Sequence, residues 1–175
     1  MLAPNSWLRD YGPGYRHLSR SERRAVSDFV MLWSVYEAQV LACNATAQRM
    51  MDAVERWHAN GLIETDARAD ESWSHFVERL RNGKELSHRF DGLRLSNQVA
   101  REFVENAVLA EPAPHRLVRH KALALIIHRI RNNLLHGEKW SYGLQDQELN
   151  FRHSSHVLML WMDMHRSQPL DLVRG

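Results

Sequence analysis

A chain of 175 residues is long enough to fold as one domain around a substantial core. With 44% hydrophobic and 25% charged residues it has the composition of an ordinary soluble globular protein. A single cysteine, Cys43, excludes an internal disulfide framework and fits a reducing compartment. It falls in an apolar helical run, which predicts an inert buried thiol. The longest uncharged apolar run, 122–127, is far short of the ~20 residues a membrane helix needs. Residues 1–14, with Pro4, Asn5, Asp10 and Pro13, lack the continuous apolar region of a secretory signal. The expectation is a cytoplasmic protein with no membrane partner.

Residues 1–18 contain Pro4, Gly12, Pro13 and Gly14 and read as an irregular arm. Ser19 or Ser21 can cap a first long helix over about 21–41, with Glu22 in its opening turn. Its residues Val26, Phe29, Val30, Trp33, Tyr36, Val40 and Leu41 follow the 3.6-residue period. A second helix, continuous or not with the first, covers about 45–59 and stops at Asn60-Gly61. A third spans about 69–81 and ends at Asn82-Gly83. Ser96 can cap the next, over about 97–110. Pro112 and Pro114 then break the chain, with Pro114 suited to the first turn of the helix that follows. That helix, about 115–136, aligns Leu117, Leu123, Ile127, Ile130 and Leu134 and closes on Gly137. A last helix covers about 146–165. Its Met159, Trp161, Met162 and Met164 read as core that extends toward a dimer interface. With no strand alternation and no repeat, the chain predicts an all-α, up-and-down bundle of four to six helices. The expected division is an arm at 1–18, a helical domain at 19–168 and a tail at 169–175.

The stretch from Arg131 to Gly137, Arg-Asn-Asn-Leu-Leu-His-Gly, carries the most chemistry. It sets a permanent cation, two amides and a titratable imidazole within about two helical turns. An Arg that stabilises an anion beside a His that moves a proton suffices to cleave RNA without a metal. The bare pattern Arg-x(4–6)-His is unspecific, since Arg68…His75, Arg81…His88 and Arg129…His136 match it as well. Arg131…His136 differs in context: Asn132 follows the Arg directly, the segment ends an apolar-striped helix, and a Gly closes it. The alternative for His136 is a residue placed at a helix end by the dipole and the last carbonyls.

Glu37 is the second chemical signal. On the reading that 26, 30, 33, 37, 40 and 41 share a face, it interrupts an apolar stripe. A carboxylate facing a core needs a cation and hydrogen bonds. Arg131, adjacent to the apolar stripe of its own helix, is the best candidate, and Glu37 is expected to orient it. The alternative is a Glu37 at the core rim, reaching solvent.

Charge is also uneven. Between 114 and 139 lie six strong bases, Arg116, Arg119, Lys121, Arg129, Arg131 and Lys139, against Glu138 alone, together with four histidines. A basic strip on one element is the usual footprint of a phosphate-bearing partner, or else a solvated helix face. Lys139, Arg129 and His128 are candidates for RNA backbone contacts, and Trp140 and Tyr142 for base stacking or for packing over the bundle end.

These residues resemble the HEPN superfamily (higher eukaryotes and prokaryotes nucleotide-binding domain). The 131–137 stretch looks like its Arg-x(4–6)-His ribonuclease motif, including the polar residue directly after the Arg. Phe29-x-x-x-Trp33-x-x-Tyr36-Glu37-Ala38 is similar to the aromatic-plus-Glu pattern on the first core helix of some bacterial members. The resemblance covers about 19–165. It implies a helical bundle that homodimerises and brings two motifs into one basic cleft. It further implies a metal-independent endoribonuclease of the toxin or anti-phage defence kind, with an antitoxin or other regulatory protein as a further partner and no cofactor. By the same resemblance Arg131, His136 and Asn132 would be catalytic, with Glu37 and Asn133 supporting. One departure concerns the Tyr that some family toxins carry two residues after the His, where a partner nucleotidyltransferase modifies it. Here that position is Glu138.

On this reading His136 acts as base on the RNA 2′-OH or acid on the leaving 5′-oxygen, and Arg131 stabilises the phosphorane. Two alternatives stay open. One is a non-catalytic helical module that binds nucleotide, RNA or protein. The other is a metal-dependent hydrolase, suggested by 11 histidines, although neither His153/His156 nor His115/His120 comes with a metal-site signature.

Overall fold

The computed structural model describes residues 3–12, 14–64, 67–136, 144 and 146–168. Among these residues eight α-helices dominate: α1 (Pro4–Tyr11), α2 (Arg20–Val40), α3 (Ala47–Ala59), α4 (Arg68–Leu80), α5 (His88–Asp91), α6 (Gln98–Leu109), α7 (Arg116–Leu135) and α8 (Glu148–Arg166). The only strands among the described residues, β1 (Arg81–Asn82) and β2 (Glu85–Leu86), form one tiny antiparallel hairpin. The fold is the all-α bundle the pattern predicts, with more helices than expected.

Helix α7 runs through the middle, packed against α3 and α6. Its residues Ala122 to Ile127 are six consecutive buried positions, so this middle stretch is apolar all round, as an enclosed segment must be. Helix α8 packs on α2 and α4. Where the layers meet, Trp161 is fully buried, stacks on Trp57 at 5.9 Å and donates its Nε1–H to His120 Nδ1 at 3.0 Å. His120 is therefore a core residue whose Nδ1 is matched by the indole N–H.

Four local features depart from the sequence expectation. The supposed irregular arm at 1–18 contains α1 and a 3₁₀ turn, Tyr15–His17. Pro4 starts α1 without loss, because the first N–H of a helix has no internal partner. The first two long helices, for which the pattern allows continuity or a break, are separate: α2 ends at Val40, and Ala42 and Cys43 take left-handed backbone, φ 49° and 58°. That turn leaves Cys43 exposed, so the buried thiol is not found. Helix α6 is capped by the Asn97 side chain, which accepts from Ala100 N–H at 3.0 Å, and not by Ser96. Pro114 precedes the helix it was expected to open: His115 is the N-cap of α7, its Nδ1 facing the Leu117 N–H at 3.4 Å. The start of α2 matches expectation. Ser19 and Glu22 form a capping box, worth about 1 kcal/mol.

Candidate functional site

Side chains from α2 and α7 meet near the end of α7. The buried face of α2 is Ala25, Phe29, Trp33, Tyr36 and Val40, while Val30 is exposed. Large aromatic rings claim the core, and the stripe is turned away from Val30. Glu37 therefore sits at its rim, its side chain 26% exposed. There it accepts a hydrogen bond from Trp33 Nε1 at 2.8 Å and faces Arg131 Nη2 across 3.6 Å. Both readings of Glu37 thus hold in part: it lies at the core edge, and it is paired with Arg131.

Arg131 is held on three sides. Its Nη1 donates to Asn132 Oδ1 at 2.9 Å, its guanidinium carbon lies 5.3 Å from the Trp33 ring centroid, and Glu37 stands beside Nη2. A guanidinium over an indole face is attracted by the ring quadrupole and limited in its rotamers. Its buried Nε–H has no acceptor among the described residues. Trp33 is thus the residue that joins Glu37 to Arg131. The signal that could have found it is its spacing, one turn before Glu37 on the same face.

His128 shares this neighbourhood, 6.5 Å from Trp33 between ring centroids. Burial pushes its pKa below the ordinary imidazole value, and the Arg131 charge pushes the same way. A hydrogen bond to the Ala45 backbone and the charge of Glu37 oppose the shift. His128 is thereby biased to the neutral form.

His136 is the C-cap of α7, exposed, with its backbone N–H bonded to Asn132 O at 2.9 Å. Among the described residues no hydrogen bond or ion pair links its ring to Arg131. Five residues of helix place the two about 140° apart around the axis. Gly137, Glu138, Lys139, Trp140 and Tyr142 lie outside the described residues.

Arg129 and Asn133 are on a different face. Asn133 is buried and donates to Gly92 O at 3.1 Å and to Leu93 O at 3.4 Å. Arg129 donates through Nε to Leu93 O at 3.0 Å and through Nη2 to Asn133 Oδ1 at 3.3 Å. Together they tie the loop after α5 to α7, and neither touches the Arg131 cluster.

The basic strip is largely answered within the protein. Asp70 bridges Arg116 and Arg119, each at 3.0 Å, and Lys121 pairs with Glu55. Along α7 the exposed cationic face is much smaller than the residue count suggests. Of the other histidines, His75 and His153 stack at 4.2 Å, and His156 meets His153 edge-on at 6.2 Å. Among the described residues no group of three His, Cys, Asp or Glu side chains is placed to hold a metal ion.

What the arrangement offers chemically is a fixed cation with an amide beside it, and an exposed imidazole at the helix end one turn and a half further on. Scanned against protein-family models and compared with curated proteins and with solved structures, the chain matches none of them.

Proposed function

We propose that this chain is a metal-independent endoribonuclease of the HEPN kind, with Arg131, His136 and Asn132 as its reacting set. The observation that carries the reading is the fixed Arg131. Arg131 has an indole platform, an amide acceptor and a carboxylate beside it. Such fixing suits a group that must meet charge developing on phosphate without reorganising.

In the reaction the 2′-oxygen attacks the adjacent phosphorus and the 5′-oxygen leaves. One His136 imidazole takes the 2′-OH proton, and a protonated imidazole gives one to the departing 5′-oxygen. The products are a 2′,3′-cyclic phosphate and a 5′-hydroxyl. A second copy of the chain supplies the second His136, so the active form is a homodimer with both motifs in one cleft. Lys139 and His128 contact the RNA backbone. Such an enzyme acts as a toxin or defence effector and is restrained by an antitoxin or regulatory protein.

The test is cleavage of a mixed RNA pool in excess EDTA by wild type, Arg131→Ala and His136→Ala. Cleavage by wild type, with each variant down about a hundredfold or more, is the expected result. Equal cleavage by His136→Ala contradicts the assignment.

One observation favours a second reading, a non-catalytic RNA- or protein-binding module. Among the described residues the His136 ring has no hydrogen-bond or ion-pair partner, unlike Arg131. A module of that kind loses RNA affinity in Arg131→Ala, keeps it in His136→Ala, and leaves every RNA intact.

A further inference from the structure

We propose that a cavity on the Asn133 side of α7, apart from the Arg131 cluster, binds a small phosphomonoester with an apolar body. The cavity holds about 540 Å³ between α4, the loop after α5, α7 and the start of α8. Phe76, Leu80, Leu93, Ile130 and Leu144 line it, and all five are buried. Arg79 and Arg89 line it too. Their Nη2 atoms converge on a single atom, Asp146 Oδ2, at 3.1 Å and 2.9 Å.

Two guanidiniums aimed at one carboxylate oxygen form an anion site. Asp146 fills it with a side chain that stays 64% exposed, on backbone turned left-handed at φ 55°. Its carbonyl also accepts from Arg79 Nη2 at 2.7 Å. Rotation of the side chain alone therefore clears the site and leaves that hydrogen bond in place. The Arg79 side chain is only 13% exposed, so little water can replace the carboxylate and another anion is the better substitute. Arg94 adds its charge to the lining, whereas Asp91 is already paired with Arg101 at 2.8 Å. The amides of Asn133 and Asn150 donate to Gly92 O and to Gln147 Oε1, which leaves recognition of charge to the arginines.

The ligand is an anion with a body attached. A bare ion would leave the five apolar side chains facing unfilled space, and a cavity of this size suits a small organic molecule. Charge selects a phosphate ester over a carboxylate. Asp146 belongs to the same chain and competes at an effective concentration of about millimolar or more. A free carboxylate offers the arginines the same single charge and loses that competition. A phosphomonoester brings a charge of ~−1.5 to −2 at neutral pH and three acceptor oxygens, enough to serve both guanidiniums at once. The inference stands whether or not Arg131 and His136 cleave RNA.

The test is a saturation-transfer proton NMR titration of phenyl phosphate against the full chain at neutral pH. Binding is expected, and Asp146→Asn, which removes the competing charge, is expected to tighten it about threefold or more. Arg89→Ala is expected to weaken it about tenfold or more. The Arg89 side chain is 45% exposed, so circular dichroism of that variant should match the parent. Benzoate, with the same ring on a carboxylate, and inorganic phosphate, with no ring, are each expected to compete about tenfold less well than phenyl phosphate itself. No binding at about 10 mM in either wild type or Asp146→Asn overturns the inference. So does binding that Arg89→Ala leaves unchanged, or inorganic phosphate that competes as well as the ester. A 5′-phosphorylated oligouridylate that displaces phenyl phosphate at a far lower concentration would give the cavity to an RNA end and overturn the small-molecule assignment.

Discussion

Glu37 and Arg131 stand 3.6 Å apart, too far for a good hydrogen bond, and both side chains are about a quarter exposed. A pair of that kind adds little stability by itself. Its value lies in geometry, because Trp33 donates to the same Glu37 oxygen that faces the guanidinium and also supplies the ring beneath it. Glu37→Gln keeps an acceptor for Trp33 and removes the charge. It is expected to leave the fold intact and to cut RNA cleavage by about tenfold, read as kcat/KM. Unaltered activity would remove Glu37 from the site. At Cys43 the outcome is set by backbone. The apolar run suggests burial, but the left-handed turn after α2 turns the thiol outward. Ellman's reagent is expected to titrate one thiol in the native protein without denaturant, and reaction only after unfolding would contradict the turn.

At the scale of elements, the end of α7 is held by Asn133 and Arg129 as much as by its own ladder. Both hydrogen-bond to carbonyls of the loop after α5, among them that of the buried Leu93. Asn133→Ala is expected to cost about 1–3 kcal/mol in urea unfolding and to leave Arg131 in place. A stability change below about 0.5 kcal/mol would contradict this tether. Most long helices were legible from caps and periodicity, as at the Ser19–Glu22 box and along the aromatic face of α2. What escaped were short elements. Helix α5 has four residues and helix α1 carries two glycines just beyond it, so neither shows a period. The site was legible in part: the pairing of Glu37 with Arg131 could be argued from a charge on an apolar stripe. The separation of Asn133 and Arg129 from that pair could not, because it depends on where the loop at 92–93 packs.

At the scale of the whole molecule, burial holds His75, His128, His153 and His165 below the ordinary imidazole value. At His153 the neighbouring His75 adds to the effect. Groups kept neutral in the fold bind fewer protons than the unfolded chain once pH drops below ~6.5. Their contribution to stability is complete above that value and is lost as pH falls from ~6.5 toward their lower folded values. Urea midpoints are expected to fall steadily between about pH 7 and pH 5, less so in His153→Phe. A flat profile would contradict the buried neutral histidines. The proposed shared cleft also needs two copies of a 20.5 kDa chain. Light scattering at micromolar concentration is expected to return the dimer, and a monomer would remove the second His136.

The central claim is transesterification by Arg131 and His136, and the ends of the RNA fragments test it most directly. Wild-type protein in excess EDTA is predicted to leave 2′,3′-cyclic phosphate and 5′-hydroxyl ends that are absent with His136→Ala. Fragments bearing 3′-hydroxyl and 5′-phosphate ends, or cyclic ends undiminished in His136→Ala, would contradict it.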